Sequence, residues 1–110
     1  MREGDVALVS LPQADGRAKP RPVILLRQLP PFADWLLCGV STQLQQQVIG
    51  FDDLIEPGAL DFRDSGLKAP SLIRLGFLAS IPPSRILGVI GSLSPNRHRE
   101  LLQRLRKLLE

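Results

Sequence analysis

The sequence predicts a mainly β fold closed by one C-terminal helix. Three observations carry this. Short apolar runs rich in β-branched residues recur from Asp5 to Ile90, separated by Pro, Gly and Asp. Ser94-Pro95 then marks a helix start, because serine caps the first turn and proline suits its first position. Leu101, Leu102, Leu105, Leu108 and Leu109 follow at helical spacing and form one apolar stripe.

Taken in order, Asp5 to Leu11 (DVALVSL) reads as a strand behind Gly4. Residues 12–20 (PQADGRAKP) read as an exposed loop or hairpin turn, since Asp-Gly and the prolines favour turns. Pro22 to Leu26 is a short buried strand, broken by LPPFAD at 29–34. Trp35 to Val40 is the next buried strand and ends at Ser41-Thr42. Val48 to Leu54 is a further strand candidate, and residues 56–70 read as a long loop. Ser71 to Leu75 is a strand that Phe77 to Ile81 continues or pairs with, with Gly76 as a candidate bulge. Pro82-Pro83 forces a turn before a last short strand, Ile86 to Ile90. In the helix, Arg97, Arg104 and Lys107 lie largely off the leucine stripe, and Glu100 can support Arg104 one turn on. Several short strands followed by one helix suit a small, strongly bent sheet or SH3-like barrel with the helix packed on it.

Bulk properties narrow the function classes. A chain of 110 residues is one domain by size. With 44% hydrophobic residues it has enough apolar surface to escape disorder. The formal net charge of +3 fits a polyanionic partner such as RNA, DNA or an acidic protein tail, but many small domains carry it without one. The single cysteine, Cys38, excludes an internal disulfide. The single histidine, His98, leaves no Cys/His set for zinc; neither a metal nor a cofactor is expected. The N-terminus MREGDVALVS lacks the apolar region of a signal peptide, and no apolar run approaches the ~20 residues of a membrane span. A cytoplasmic location with no membrane contact is therefore expected.

Most catalytic sets are missing. The sequence has no G-x-S-x-G elbow, no Walker A loop and no dinucleotide glycine fingerprint. Cys38 sits in the apolar run WLLCGV, where a thiol is buried and inert, and His98 reads as a surface residue of a basic helix. Arginines remain. Arg21 stands between Pro20 and Pro22, so its backbone is stiff. Arg74 lies within SLIRL, and if Ile73 and Leu75 face the core it faces the other side of the sheet. Arg27 ends the Pro22–Leu26 run. A guanidinium is planar, stays charged and can bind phosphate through two N–H groups at once. Any one of these could be an ordinary surface arginine; two in strands of one small sheet, beside Ser41-Thr42, point to a phosphate site.

These segments together resemble the MazF/PemK family of toxins from type II toxin–antitoxin systems. GDVALVSLPQADGRAKPRPVILL resembles the family's opening strand, short loop and Arg-Pro step. LLCGVSTQ resembles its apolar strand ending in a Thr/Ser pair, and PSLIRLGFLASIPPSRILGVIGSLS its third motif. The resemblance covers nearly the whole chain and is weakest over residues 43–66. It implies the SH3-like barrel of MazF/PemK/CcdB-type toxins, a homodimer, and metal-independent cleavage of single-stranded RNA. It also implies a cognate antitoxin whose disordered, often acidic tail covers the RNA groove. By the same resemblance Arg21 takes the place of the catalytic arginine and Arg74 that of the second arginine of the PemK branch. Ser41 aligns best with the catalytic threonine, with Thr42 the neighbouring alternative. Arg17, Lys19, Arg27 and Gln43 are further candidates for RNA contact. One departure stands out: Gly76 occupies a position where that branch often has an acid, so no acid–base role can be assigned there. The rivals are a non-catalytic member that binds RNA or antitoxin, a poison of DNA gyrase, and a plain scaffold of the same fold.

Overall fold

The computed structural model describes residues 1–12 and 16–110. Its strands are β1 (Asp5–Pro12), β2 (Ala18–Leu29), β3 (Asp34–Ser41), β4 (Asp53–Ile55), β5 (Ser71–Ile81) and β6 (Ile86–Ser92). A one-turn helix α1 (Phe62–Ser65) and a long helix α2 (Pro95–Leu108) complete the described elements. The strands form one antiparallel sheet in the order β4-β5-β3-β2-β1-β6.

Period-two alternation along the strands divides the core in two. Val6, Ile24, Cys38 and Ile73 share one face with Leu101 and Leu105 of α2. Ala7, Val9, Val23, Leu25, Trp35 and Leu37 form a second cluster, packed against Ala79, Ile81 and Ile86 from the curled ends of β5 and β6. Cys38 is fully buried in the first cluster, and burial pushes its thiol up to about 12, in keeping with an inert core residue.

Several sequence expectations need correction. The loop expected over 12–20 is shorter, because β2 already begins at Ala18; residues 13–15 of it lie outside the described residues. Arg21 therefore sits inside a strand, opposite Val9, and not ahead of one. The strand expected over 48–54 shrinks to Asp53–Ile55, because the Phe51 and Asp52 N–H groups turn back to the Val48 carbonyl. The leucine stripe is only half used: Leu101 and Leu105 are buried, whereas Leu108 is 56% and Leu109 75% exposed. The sheet does not reach the last turn of α2.

The helix face opposite the stripe is not a simple solvated one either. Asp61, at the start of α1, accepts a two-pronged pair of hydrogen bonds from Arg97 at 2.8 and 3.0 Å. The same guanidinium donates to Asp53 at 2.7 Å. Its side chain is only 16% exposed. Arg104 reaches the Asp52 carbonyl at 3.1 Å and lies 3.6 Å from Asp53, so its partners lie across the fold and not at Glu100 one turn before it. Asp61 also accepts the Ser94 N–H at 3.0 Å, while the Ser94 hydroxyl caps α2 by accepting from the Arg97 N–H at 3.1 Å. Burial acts to raise the Asp61 pKa, but the hydrogen bonds from Arg97 and Ser94 outweigh it and hold the carboxyl below the usual carboxylate range. His98, expected on the surface, is half-buried; its Nε2 donates to the Leu26 carbonyl at 2.9 Å and fastens α2 to β2.

Candidate functional site

The central strands part company at one end. β2 and β3 pair from Leu29 and Asp34 as far as Val23 and Gly39, and no further. Beyond that point β2 runs on with β1 alone, through Pro22, Arg21 and Pro20. Val40 and Ser41 of β3 continue with β5 alone, opposite Ile73 and Leu72. Proline has no N–H for a ladder and is confined to strand edges, so Pro20 and Pro22 suit a strand with one side free. The two strands therefore splay, and a groove of about 920 Å³ opens between them.

The groove is lined by Arg21 and Pro22 on one wall, by Gly39 to Gln43 across the floor, and by Arg74 and Phe77 of β5. Alternation places Arg21 (two residues before Val23), Ser41 (two after Gly39) and Arg74 (opposite Gly39) on one face of the sheet. Ile73 and Leu75, the neighbours of Arg74, are fully buried on the other face, as the sequence led us to expect. The third wall is the segment after α1, carrying Gly66, Leu67, Lys68 and Ala69. That segment is held in place where Gly66 and Gly91 bring backbone against backbone. A Cβ on Gly66 would strike the Ile90 carbonyl, and one on Gly91 would strike the Asp64 and Ser65 carbonyls. Only glycine allows this approach.

The electrostatics are one-sided. Arg21, Lys68 and Arg74 line the groove, and among the described residues no Asp or Glu does. Among the described residues none of these three cations has an ion pair or hydrogen-bonding partner. Ser41 Oγ accepts the Gln43 N–H at 3.0 Å, which fixes the hydroxyl and leaves its proton to donate outward. Thr42 beside it is exposed. A groove with three unpaired cations on its walls and two hydroxyls on its floor is suited to a phosphate backbone.

The structure thus brings together Arg21, Ser41, Thr42, Gln43 and Arg74 of the residues singled out in the sequence. Arg17 and Lys19 are exposed near the start of β2 and do not line the groove, although Lys19 lies two residues from Arg21 and so on its face. Arg27 is remote, at the far end of β2, where it faces Glu3 at 3.5 Å. Lys68 and Phe77 escaped the sequence reading. Lys68 sits in a stretch that read as featureless loop, and Phe77 carried no signal beyond strand propensity.

A family model described as PemK-like, MazF-like toxin of type II toxin-antitoxin system matches residues 2–109. The chain belongs to this toxin family. Its fold also superposes on a solved structure titled Mycobacterium tuberculosis toxin MazF-mt6, with a TM-score of 0.69 and 18% sequence identity over 96% of this chain and 95% of that one. At that identity the likeness establishes the barrel-like toxin fold. No curated protein sequence matches the chain. Within the family frame, Gly76 is exposed on β5 beside Arg74 and supplies no carboxylate to the groove. No helix among the described residues is long and apolar enough to cross a membrane.

Proposed function

We propose that this toxin is a metal-independent endoribonuclease that cuts single-stranded RNA, and that a cognate antitoxin neutralises it by covering the groove. The observation that carries the proposal is the groove itself: Arg21, Lys68 and Arg74 converge, with no carboxylate among the described lining residues, beside the Ser41 and Thr42 hydroxyls. In the reaction, the 2′-oxygen of one nucleotide bonds to the adjacent phosphorus and the bond from phosphorus to the 5′-oxygen breaks. The products are a 2′,3′-cyclic phosphate and a 5′-hydroxyl. The 2′-OH proton passes to water, and the leaving oxygen gains one from water. Arginine is a poor base, its pKa lying above ~12, so Arg21 and Arg74 act by stabilising charge on the phosphate oxygens. The Ser41 or Thr42 hydroxyl donates to one of those oxygens and aligns the phosphorus with the attacking oxygen. Lys68 holds a flanking phosphate, and Lys19, Arg17 and Gln43 extend the path.

The same positive groove attracts an acidic antitoxin tail, which competes with RNA for it. A homodimer in the cytoplasm is the proposed working form; Leu87 and Val89 on the edge strand β6 and Leu108 and Leu109 on α2 offer exposed apolar surface for self-association. A second reading has its own support. Among the described residues neither histidine nor carboxylate lines the groove, so a member that binds RNA or antitoxin without cutting fits the same charge pattern. Incubating the purified chain with a long RNA in the presence of a chelator separates the two. Discrete fragments ending in cyclic phosphate support the nuclease, with Arg21→Ala cutting far more slowly. A gel shift with intact RNA favours the binding module.

A further inference from the structure

We infer that Phe77 is a base-stacking platform: it holds the nucleobase next to the phosphate gripped by Arg74, and so sets which nucleotides the groove accepts. This rests on the reading of the groove as an RNA site and deepens it.

The inference begins with a break in strand register. Cys38 of β3 pairs with Leu78, but its neighbour Gly39 pairs with Arg74. Leu75, Gly76 and Phe77 are therefore looped out of the ladder opposite a single step of β3. Such a bulge re-aims side chains that plain alternation would send elsewhere. Leu75 turns fully into the core, Gly76 is exposed, and Phe77 folds back over β3.

The ring comes to rest on Gly39. A Cβ built there would lie 3.0 Å from Phe77 Cδ1 and 3.2 Å from Cγ, so the ring occupies the space a side chain would need. Gly39 is also the residue directly opposite Arg74. The ring thus lies over the residue that faces Arg74 across the ladder, and Phe77 and Arg74 line the same groove. Among the described residues it is the only aromatic side chain lining the groove, and it stays 43% exposed although most of its bulk is seated.

An exposed ring seated on backbone beside unpaired cations is an odd use of apolar surface in a protein with two well-filled cores. It is the arrangement that single-stranded nucleic acid requires. Bases of single strands are unstacked from each other and gain by stacking on an aromatic face, while their phosphates take the cations. Larger bases offer more ring to stack, so Phe77 favours a purine over a pyrimidine at its position.

The test uses the full chain with Phe77→Leu, which keeps an apolar side chain on Gly39 but has no ring, and Phe77→Trp, which enlarges the ring. Thermal melts confirm that both fold. Binding is measured with a single-stranded RNA bearing 2′-deoxy sugars, which cannot be cut. A second oligonucleotide series replaces one base at a time by an abasic sugar. We expect Phe77→Leu to weaken binding about ten- to a hundred-fold, the range of losses seen for stacked bases. Phe77→Trp should restore binding, with its indole fluorescence quenched as RNA is added. One abasic position should cost the native chain affinity and cost Phe77→Leu nothing. If Phe77→Leu binds as tightly as the native chain while Arg21→Ala loses RNA, the stacking role is wrong and the RNA groove stands. If the native chain binds no RNA at all, both fall together. If Phe77→Leu alters only self-association, the ring is a subunit contact and the inference is overturned.

Discussion

The two arginine-rich regions of this molecule follow opposite rules. At Arg97 the charge is answered: Asp61 and Asp53 take its guanidinium, and Asp61 also takes the Ser94 N–H. In the groove Arg21, Lys68 and Arg74 are left unanswered, and among the described residues no carboxylate is near enough to line it. The lesson is that side-chain type says little about role. An arginine whose charge is consumed inside the protein ties elements together, whereas one whose charge is left over is available to a ligand. Removing the first should cost stability, and removing the second should cost activity.

That contrast can be broken experimentally. The largest effect is expected for Arg21→Ala and Arg74→Ala, each slowing RNA cleavage by roughly 10²–10³, as for loss of one charge-stabilising donor. Their melting temperatures should stay close to native or rise slightly, since like charges are relieved. A large drop in melting temperature would mean these arginines are structural after all. Rates from a fluorogenic RNA, beside thermal melts, decide the point.

Arg97→Ala should do the reverse. Removing one member of a nearly buried ion pair leaves Asp61, 8% exposed, without its partner, at a cost of about 3 kcal/mol. Urea unfolding of the variant checks the loss, and cleavage by the fraction that remains folded should be nearly native.

Acid probes the same pair more gently. The Asp61 carboxyl titrates below its unfolded value of ~3.9, so the proton binds more readily to the unfolded chain. Its contribution is fully present above about pH 4 and is lost as pH falls through the folded pKa. Stability measured across the acid range should fall steeply at its lower end in the native chain. Asp61→Asn should be less stable near neutrality and flatter below about pH 4. A parallel acid limb in the variant would show that other carboxylates govern it.

The smallest effects concern α2. Ser94→Ala removes the cap on the Arg97 N–H and should cost about 1 kcal/mol. Leu108→Ala, on an exposed turn, should change stability by less than ~0.5 kcal/mol. A much larger loss at Leu108 that depends on protein concentration would place the helix end in a dimer contact.

Much of the fold is legible in the sequence. The Ser94 cap, the burial of Cys38, the bulge at Gly76 and the outward turn of Arg74 all follow from neighbours a few residues away, through capping and alternation. Arg21, Ser41 and Arg74 are also legible, as a set of motifs, although nothing local says that they meet. Other features are hidden for a physical reason. Asp61 and Arg97 are 36 positions apart, and an ion pair across that separation leaves no local pattern. Lys68 looks like any loop lysine until the Gly66–Gly91 contact swings its segment to the groove. His98 reads as a surface residue because its acceptor is the backbone of Leu26, which has no sequence signature.

The sequence by itself determined the order of most strands, the capped helix and the toxin family, because periodicity and motif order are written in short stretches of chain. Tertiary structure decided which charges are spent and which are free. That depends on where β2 and β3 separate and on which walls close around the gap. The stiff Pro20-Arg21-Pro22 step marks one side of that gap, but only the folded sheet places Arg74, Lys68 and Phe77 across from it.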